Sequence, residues 1–155
     1  LYIFSKSSNN TIMNDYSALK NQYVYLFRGW KKLLLTAQNM KNIWINDYNS
    51  KKKYIENFCE RKNKKNISKI ELQQAEDDLP NFLVKLSVFE IKNLLEKIED
   101  NLVEKTKATV EFHTIHSYKG LENDTIRIYN DINIQSEQNL YYVALTRGMK
   151  NLIID

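Results

Sequence analysis

The sequence predicts an α/β protein built on a parallel sheet. Short apolar runs alternate with helical stretches, the order that gives parallel sheets. The runs are apolar at successive positions rather than at every second one, as in strands covered on both faces. A chain of 155 residues that is 43% hydrophobic and 27% charged can bury the core of one domain.

In chain order, residues 1–4 (Leu-Tyr-Ile-Phe) read as a strand, 14–21 as helical, and 24–27 (Val-Tyr-Leu-Phe) as a second strand closed by Arg28-Gly29. From about Trp30 to Lys107 the pattern is helical. One helix spans 30–47, with Leu34, Ala37, Ile43 and Trp44 available to pack inward. Asp78-Leu79-Pro80 opens another, because proline is tolerated in a first turn. Ser87-Val88-Phe89-Glu90 is a capping box, followed by Ile91, Leu94, Leu95, Ile98 and Leu102 on one face. Residues 109–115 and 125–129 then read as strands, 137–147 as a helix and 152–154 as a last strand. The expected organisation is a sheet domain begun by 1–30, a mainly helical insertion over 31–107, and the remainder of the domain in 108–155.

Glycine scarcity excludes whole classes of nucleotide site. Gly29, Gly120 and Gly148 are the only three glycines and no two stand closer than 28 residues, so neither G-x-x-x-x-G-K-[ST] nor G-x-G-x-x-G can be formed. A single cysteine, Cys59, makes neither an intramolecular disulfide nor a multi-cysteine zinc site, so no metal ligand is assigned and an intracellular setting, nucleus or cytoplasm, is expected. No apolar stretch has the roughly 18 residues needed to cross a bilayer, so no membrane partner is expected. The first residue is Leu1, and the chain is expected to continue upstream.

Net charge is +4 with pI near 9.0. The cations are 19 Lys against 4 Arg, in a background rich in Asn, Ile and Tyr; that is the codon bias of an A·T-rich genome, viral genomes included, as much as a nucleic-acid footprint. Residues 51–69 hold eight basic residues against Glu56 and Glu60, a balance of +6. Such a run is a solvated helix face or a contact to a DNA backbone.

Two blocks carry chemistry. Thr114-Ile115-His116-Ser117-Tyr118-Lys119-Gly120-Leu121-Glu122 follows one strand and precedes another, and in open α/β sheets the loops beyond the carboxyl ends of strands bind ligands. Its glycine permits a tight turn, its lysine can meet phosphate and its glutamate can accept from sugar hydroxyls. Leu140-Tyr141-Tyr142-Val143-Ala144-Leu145-Thr146-Arg147-Gly148 is an apolar helix ending in an arginine. Arg147 is either a planar fork for a phosphate or a cap on its own helix C-terminus. His116 alone would pass for a structural histidine, and His113 is read as one. Tyr141, Tyr142, Trp30 and Trp44 are either base-stacking platforms or core and are read as core, as is Cys59.

Taken together and in this order, the blocks resemble the T-x-H-x-x-K-G-L-E and Y-V-A-x-T-R motifs of superfamily 1 helicases related to UvrD, Rep and PcrA. Every fixed position is matched: Thr114, His116, Lys119 to Glu122, Tyr142 to Ala144, Thr146 and Arg147. More weakly, residues 1–9 resemble the family's strand with an Arg-Thr/Ser-Asn signature, with Lys6 in place of the arginine, and 24–29 its strand ending in Gly-Gly. The spacing looks most like the F-box DNA helicase branch.

The resemblance implies a RecA-like fold: the C-terminal half of a two-domain, ATP-dependent, 3′-to-5′ DNA helicase. Phosphate loop, magnesium ligands and catalytic base would come from an N-terminal RecA-like domain of the same polypeptide. Arg147 would contact the γ-phosphate, Glu122 the ribose, and Lys119 with Gly120 the neighbourhood of the phosphates, unless Lys119 instead couples nucleotide state to the DNA track. Thr114, His116 and Lys6 would contact single-stranded DNA. The competing expectation is a non-enzymatic nucleic-acid-binding or regulatory module derived from such a half.

Overall fold

The computed structural model describes residues 11–13 (backbone only), 19–64, 79–133 and 135–155. The expectations for the strand at 1–4, for Lys6, for most of the helix at 14–21 and for the end of the lysine run lie outside the described residues. The elements are β1 (Thr11–Met13), β2 (Tyr23–Phe27), α1 (Trp30–Ala37), β3 (Ile43–Ile45), α2 (Tyr48–Asn63), α3 (Leu79–Val84), α4 (Val88–Glu99), β4 (Val110–Thr114), β5 (Asn123–Ile128), α5 (Gln138–Leu145) and β6 (Gly148–Ile154). The six strands form one sheet in the order β1-β6-β5-β2-β4-β3, with every pair parallel.

β2 is central, and all five of its residues are buried. Its alternation divides the molecule in two. Tyr23, Tyr25 and Phe27 point to the face where α1 to α4 deliver Leu33, Leu34, Ile55, Phe58, Leu83, Ile91 and Ile98. Val24 and Leu26 point to the other face, where Ile115, Tyr118, Ala144 and Leu145 cover Ile126, Ile128 and Leu152. Each large apolar side chain so buried contributes about 2 kcal/mol, so a strand sealed on both faces anchors the fold. On the helical face the aromatic rings interlock, with Tyr25 stacked on Phe27 at 4.5 Å and Phe27 5.0 Å from Phe112.

The capping box is present as read: Ser87 Oγ accepts from the Glu90 N–H at 3.1 Å, and Glu90 Oε1 accepts from the Ser87 N–H at 3.2 Å. Three boundaries differ from expectation, one being the last strand, which begins at Gly148 rather than at 152. The helix begun at Trp30 ends at Ala37 rather than reaching residue 47, because Asn42 takes a left-handed φ of 59° and turns the chain into the edge strand β3. The β-branched Ile43 and Ile45 suit that strand, and Trp44 between them is half-buried on the opposite face. Leu102 is not on α4, which stops at Glu99; it bridges to Ile43, extending the sheet edge. Buried Asn101 makes this turn by donating from Nδ2 to the Ala37 carbonyl at 2.9 Å, satisfying an orphan acceptor at the end of α1.

Much of the lysine run lies on α2, whose buried stripe is Tyr48, Ile55, Phe58 and Cys59. Lys52 pairs with Glu99 at 2.5 Å, and Lys62 donates to the carbonyls of Leu83 and Val84, at 3.0 and 2.9 Å, and of Leu86. Those two lysines serve the fold, joining α2 to α4 and closing the end of α3. Among the described residues no helix is long and apolar enough to cross a membrane.

Removing the cap tests the α4 assignment. Ser87→Ala should lower unfolding free energy by about 1 kcal/mol, measured as a shift in the urea midpoint at constant m-value.

Candidate functional site

The connection from β4 to β5 is unusually short. Thr114 lies level with Phe27 in the parallel register, whereas Leu26 already lies level with Ile128, six residues into β5. Residues 115–122 therefore descend the height of the sheet, roughly 20 Å at about 3.3 Å per residue, and pass over β2 on the way. No crossover helix fits that distance. The segment instead advances through consecutive turns, with Tyr118 N–H donating to Thr114 O at 3.2 Å and Leu121 N–H to Tyr118 O at 3.1 Å. Buried Ile115 and Tyr118 fasten it to the sheet. Thr114 and Ser117 tie the first turn, Ser117 Oγ donating to Thr114 O at 2.9 Å and accepting from Thr114 Oγ1 at 3.0 Å.

The nine-residue block thus serves two ends of the sheet, whereas the sequence placed it wholly beyond the carboxyl ends. At the amino edge, Asn123 pairs with Gly148, so Glu122 and Arg147 immediately precede neighbouring strands. Arg147 Nη1 donates to the Leu121 carbonyl at 3.4 Å, and Asn123 N–H donates to the Arg147 carbonyl at 3.1 Å. The two motifs are therefore stitched together on either side of Glu122. Arg147 also donates from Nε to Val143 O at 3.1 Å and from Nη2 to Thr146 Oγ1 at 3.1 Å. It caps its own helix, as one reading of the sequence had it. All three acceptors are neutral oxygens, so its charge stays available to an anion. Gly120 makes the preceding turn at φ 84°.

At the carboxyl edge, exposed His116 and Lys119 line a cleft of about 560 Å³ with Gln135, Ser136, Glu137 and Val143. Lys119 thus lines the same cleft as His116. A second cleft of about 650 Å³ shares His116, Glu137 and Leu140 with the first and adds Arg28, Trp30, Lys51, Tyr54 and Pro80. Arg28 Nε donates to both Glu137 oxygens, at 2.7 and 2.8 Å, clamping the end of β2 to the start of α5. Partial burial alone would raise the Glu137 pKa; Arg28, the Asn133 N–H and nearby His116 outweigh it and hold the carboxyl below its usual range.

His113 keeps the structural role assigned to it. It is buried between Trp44 and Tyr118, with ring centroids 5.6 and 4.7 Å away. Nε2 lies 3.1 Å from Glu111 Oε1; a carboxylate only accepts, so the proton is on Nε2, and the partnerless buried Nδ1 is a lone pair. Burial pushes the His113 pKa down, against the opposing pull of Glu111. Tyr118, beneath the crossover, is pushed up to about 12 by burial.

Arg28, Tyr54 and Glu137 were not singled out as functional from sequence; Lys51 entered only as part of the lysine run, and Trp30 was read as core rather than as a stacking residue. The one signal was an acid immediately before a helix, at Glu137. The others come from three separate elements that only the fold brings together.

A family model described as the UvrD-like helicase C-terminal domain matches residues 3–155. No curated protein and no solved structure matches the chain.

A β-carbon on Gly120 would meet nothing within 4 Å, so the cost of replacing it is backbone strain alone. Gly120→Ala should destabilise the fold by about 1 kcal/mol in urea unfolding, and Gly120→Asn by less, since asparagine tolerates the left-handed region. For His113, the folded pKa lies below the unfolded value of about 6.5, so the unfolded state binds the extra proton first. Its contribution is present above pH 6.5 and is lost as pH falls towards the folded value. The urea midpoint of wild type should therefore drop between pH 7.5 and 5.5 by more than that of His113→Gln.

Proposed function

Because the chain belongs to the UvrD-like helicase C-terminal domain family, we propose that it is the second motor domain of an ATP-dependent 3′-to-5′ DNA helicase. In this reading it completes a nucleotide site at the amino edge of its sheet and holds single-stranded DNA at the carboxyl edge. The observation that supports it best is the hydrogen bond from Arg147 to Leu121, which joins the two motifs beside Glu122. A permanent cation bonded to neutral oxygens, next to an exposed carboxylate, suits a ligand with phosphates at one end and sugar hydroxyls at the other.

ATP with Mg²⁺ supplies the phosphoryl group whose transfer drives the motor, and the phosphate loop and metal ligands belong to an N-terminal RecA-like partner domain. Arg147 would present its fork to the γ-phosphate and stabilise charge developing there, while Glu122 accepts from the ribose. Lys119, on the His116 side of the crossover, would sense the phosphates through the strap rather than by sharing the Arg147 pocket. Thr114 and His116 would meet the DNA strand, Thr114 mainly by shaping the turn that carries His116.

The geometry also supports a route for coupling. α5 runs from Glu137 at the DNA edge to Arg147 at the nucleotide edge, about 12 Å for its eight residues. The crossover runs the same way from His116 to Glu122. Two short, packed struts cross-linked at Leu121 transmit a displacement at one edge to the other, as a rigid element must.

In the motor assembled from both halves, Arg147→Ala should cut DNA-stimulated ATP turnover by at least about 10³-fold while leaving ATP binding nearly intact. Turnover is followed by phosphate release and binding by a fluorescent nucleotide. Wild-type turnover in a folded variant would refute the assignment.

A further inference from the structure

Apart from His116 and Leu140, the second cleft at the carboxyl edge is lined by residues outside the two motif blocks. Trp30 is the first residue of α1; one side of it packs on the rim of the helical core, and it also lines the cleft. Lys51, reaching over from α2, holds its ammonium 5.2 Å from the Trp30 ring centre and 5.8 Å from that of Tyr54. The same cleft is lined by Pro80, His116 and the Arg28–Glu137 ion pair. An indole ring that carries a lysine ammonium and lines a cleft, beside a second aromatic and the Arg28–Glu137 ion pair, differs from a core tryptophan. It is the mixed aromatic and basic lining that unstacked nucleotides select.

We propose that Trp30 is a stacking platform for one base of a single strand, with Lys51 meeting a flanking phosphate. The proposal rests on the assignment of single-stranded DNA to the carboxyl edge and adds the residue that grips a base there. Stacking of a base on an aromatic ring is stronger than an exposed cation–π contact, so an arriving base displaces Lys51 from the ring. The displaced ammonium then lies beside the backbone of the same nucleotide. Continuity with the first cleft through His116, Glu137 and Leu140 lets the strand run on past His116 without a break. Because every base has a π face, the grip is tolerant of sequence, as a translocating motor requires.

The chain has two tryptophans, so Trp44→Phe leaves Trp30 as the sole indole reporter. This variant is titrated with a fifteen-nucleotide oligothymidylate and with an abasic strand of equal length, following indole fluorescence and, with end-labelled strands, anisotropy. Oligothymidylate should quench Trp30; the abasic strand should not, and should bind about 10-fold more weakly. In the otherwise wild-type chain, Trp30→Ala should lose about 10-fold in affinity while Trp30→Phe keeps most of it, with urea unfolding confirming that each is folded. Should the alanine variant not fold, quenching and the phenylalanine variant decide. Normal binding of oligothymidylate without quenching, or equal binding of the abasic strand, overturns the stacking platform and leaves the DNA edge standing. No binding of either strand overturns both.

Discussion

The two ends of this molecule are held in relation by one short crossover. Eight residues, 115–122, must carry the chain from the top of β4 to the foot of β5, past β2. At no more than about 3.5 Å per residue there is little slack, and no room for the helix that usually makes such a connection. The segment must lie flat on the sheet, so Ile115 and Tyr118 are buried there and His116 and Glu122 emerge at opposite edges. Gly120 supplies the one left-handed turn along the path. A longer connection would have left His116 and Glu122 free to move independently.

The rest of the fold keeps that strap under control. β2 is sealed on both faces, so the sheet beneath the crossover cannot flex without opening two cores at once. α5 lies on the same face and carries Arg147 back to Leu121, while the Arg28–Glu137 ion pair fixes its other end to β2. On the far face the four helices are joined by polar contacts at their ends, Asn101 to Ala37, Lys62 to the close of α3, and Lys52 to Glu99. Among the described residues of the basic stretch, Lys52 and Lys62 are thus engaged within the fold, while Lys51 lines the second cleft.

Elements with a single dominant signal were legible in the sequence. The apolar run at 24–27 and the β-rich run at 109–115 became the paired strands β2 and β4, and the capping box opened α4 where it was read. Where two signals competed, the fold chose. Residues 38–47 carry helical spacing, yet Asn42 in a left-handed turn and a free sheet edge beside β4 made Ile43–Ile45 a strand. Leu102 fits the α4 stripe by period and was drawn into the same edge instead. Trp30 shows the converse: its type and neighbours say core, but only the approach of α2 reveals that part of it faces a cleft.

By itself the sequence determined the parallel α/β class, the membership of two motif blocks in one family and the absence of a phosphate loop, because residue type, spacing and glycine positions settle these locally. It could not tell that one block spans both edges of the sheet. That depends on the register between β4, β2 and β5, which long-range pairing alone sets. Nor could it assemble Arg28, Trp30, Lys51, Tyr54 and His116 into one trough, since these residues are up to 88 positions apart in the chain. Tertiary packing decided both, because an open α/β sheet gathers residues by which edge their strand or helix ends on, not by their distance along the chain.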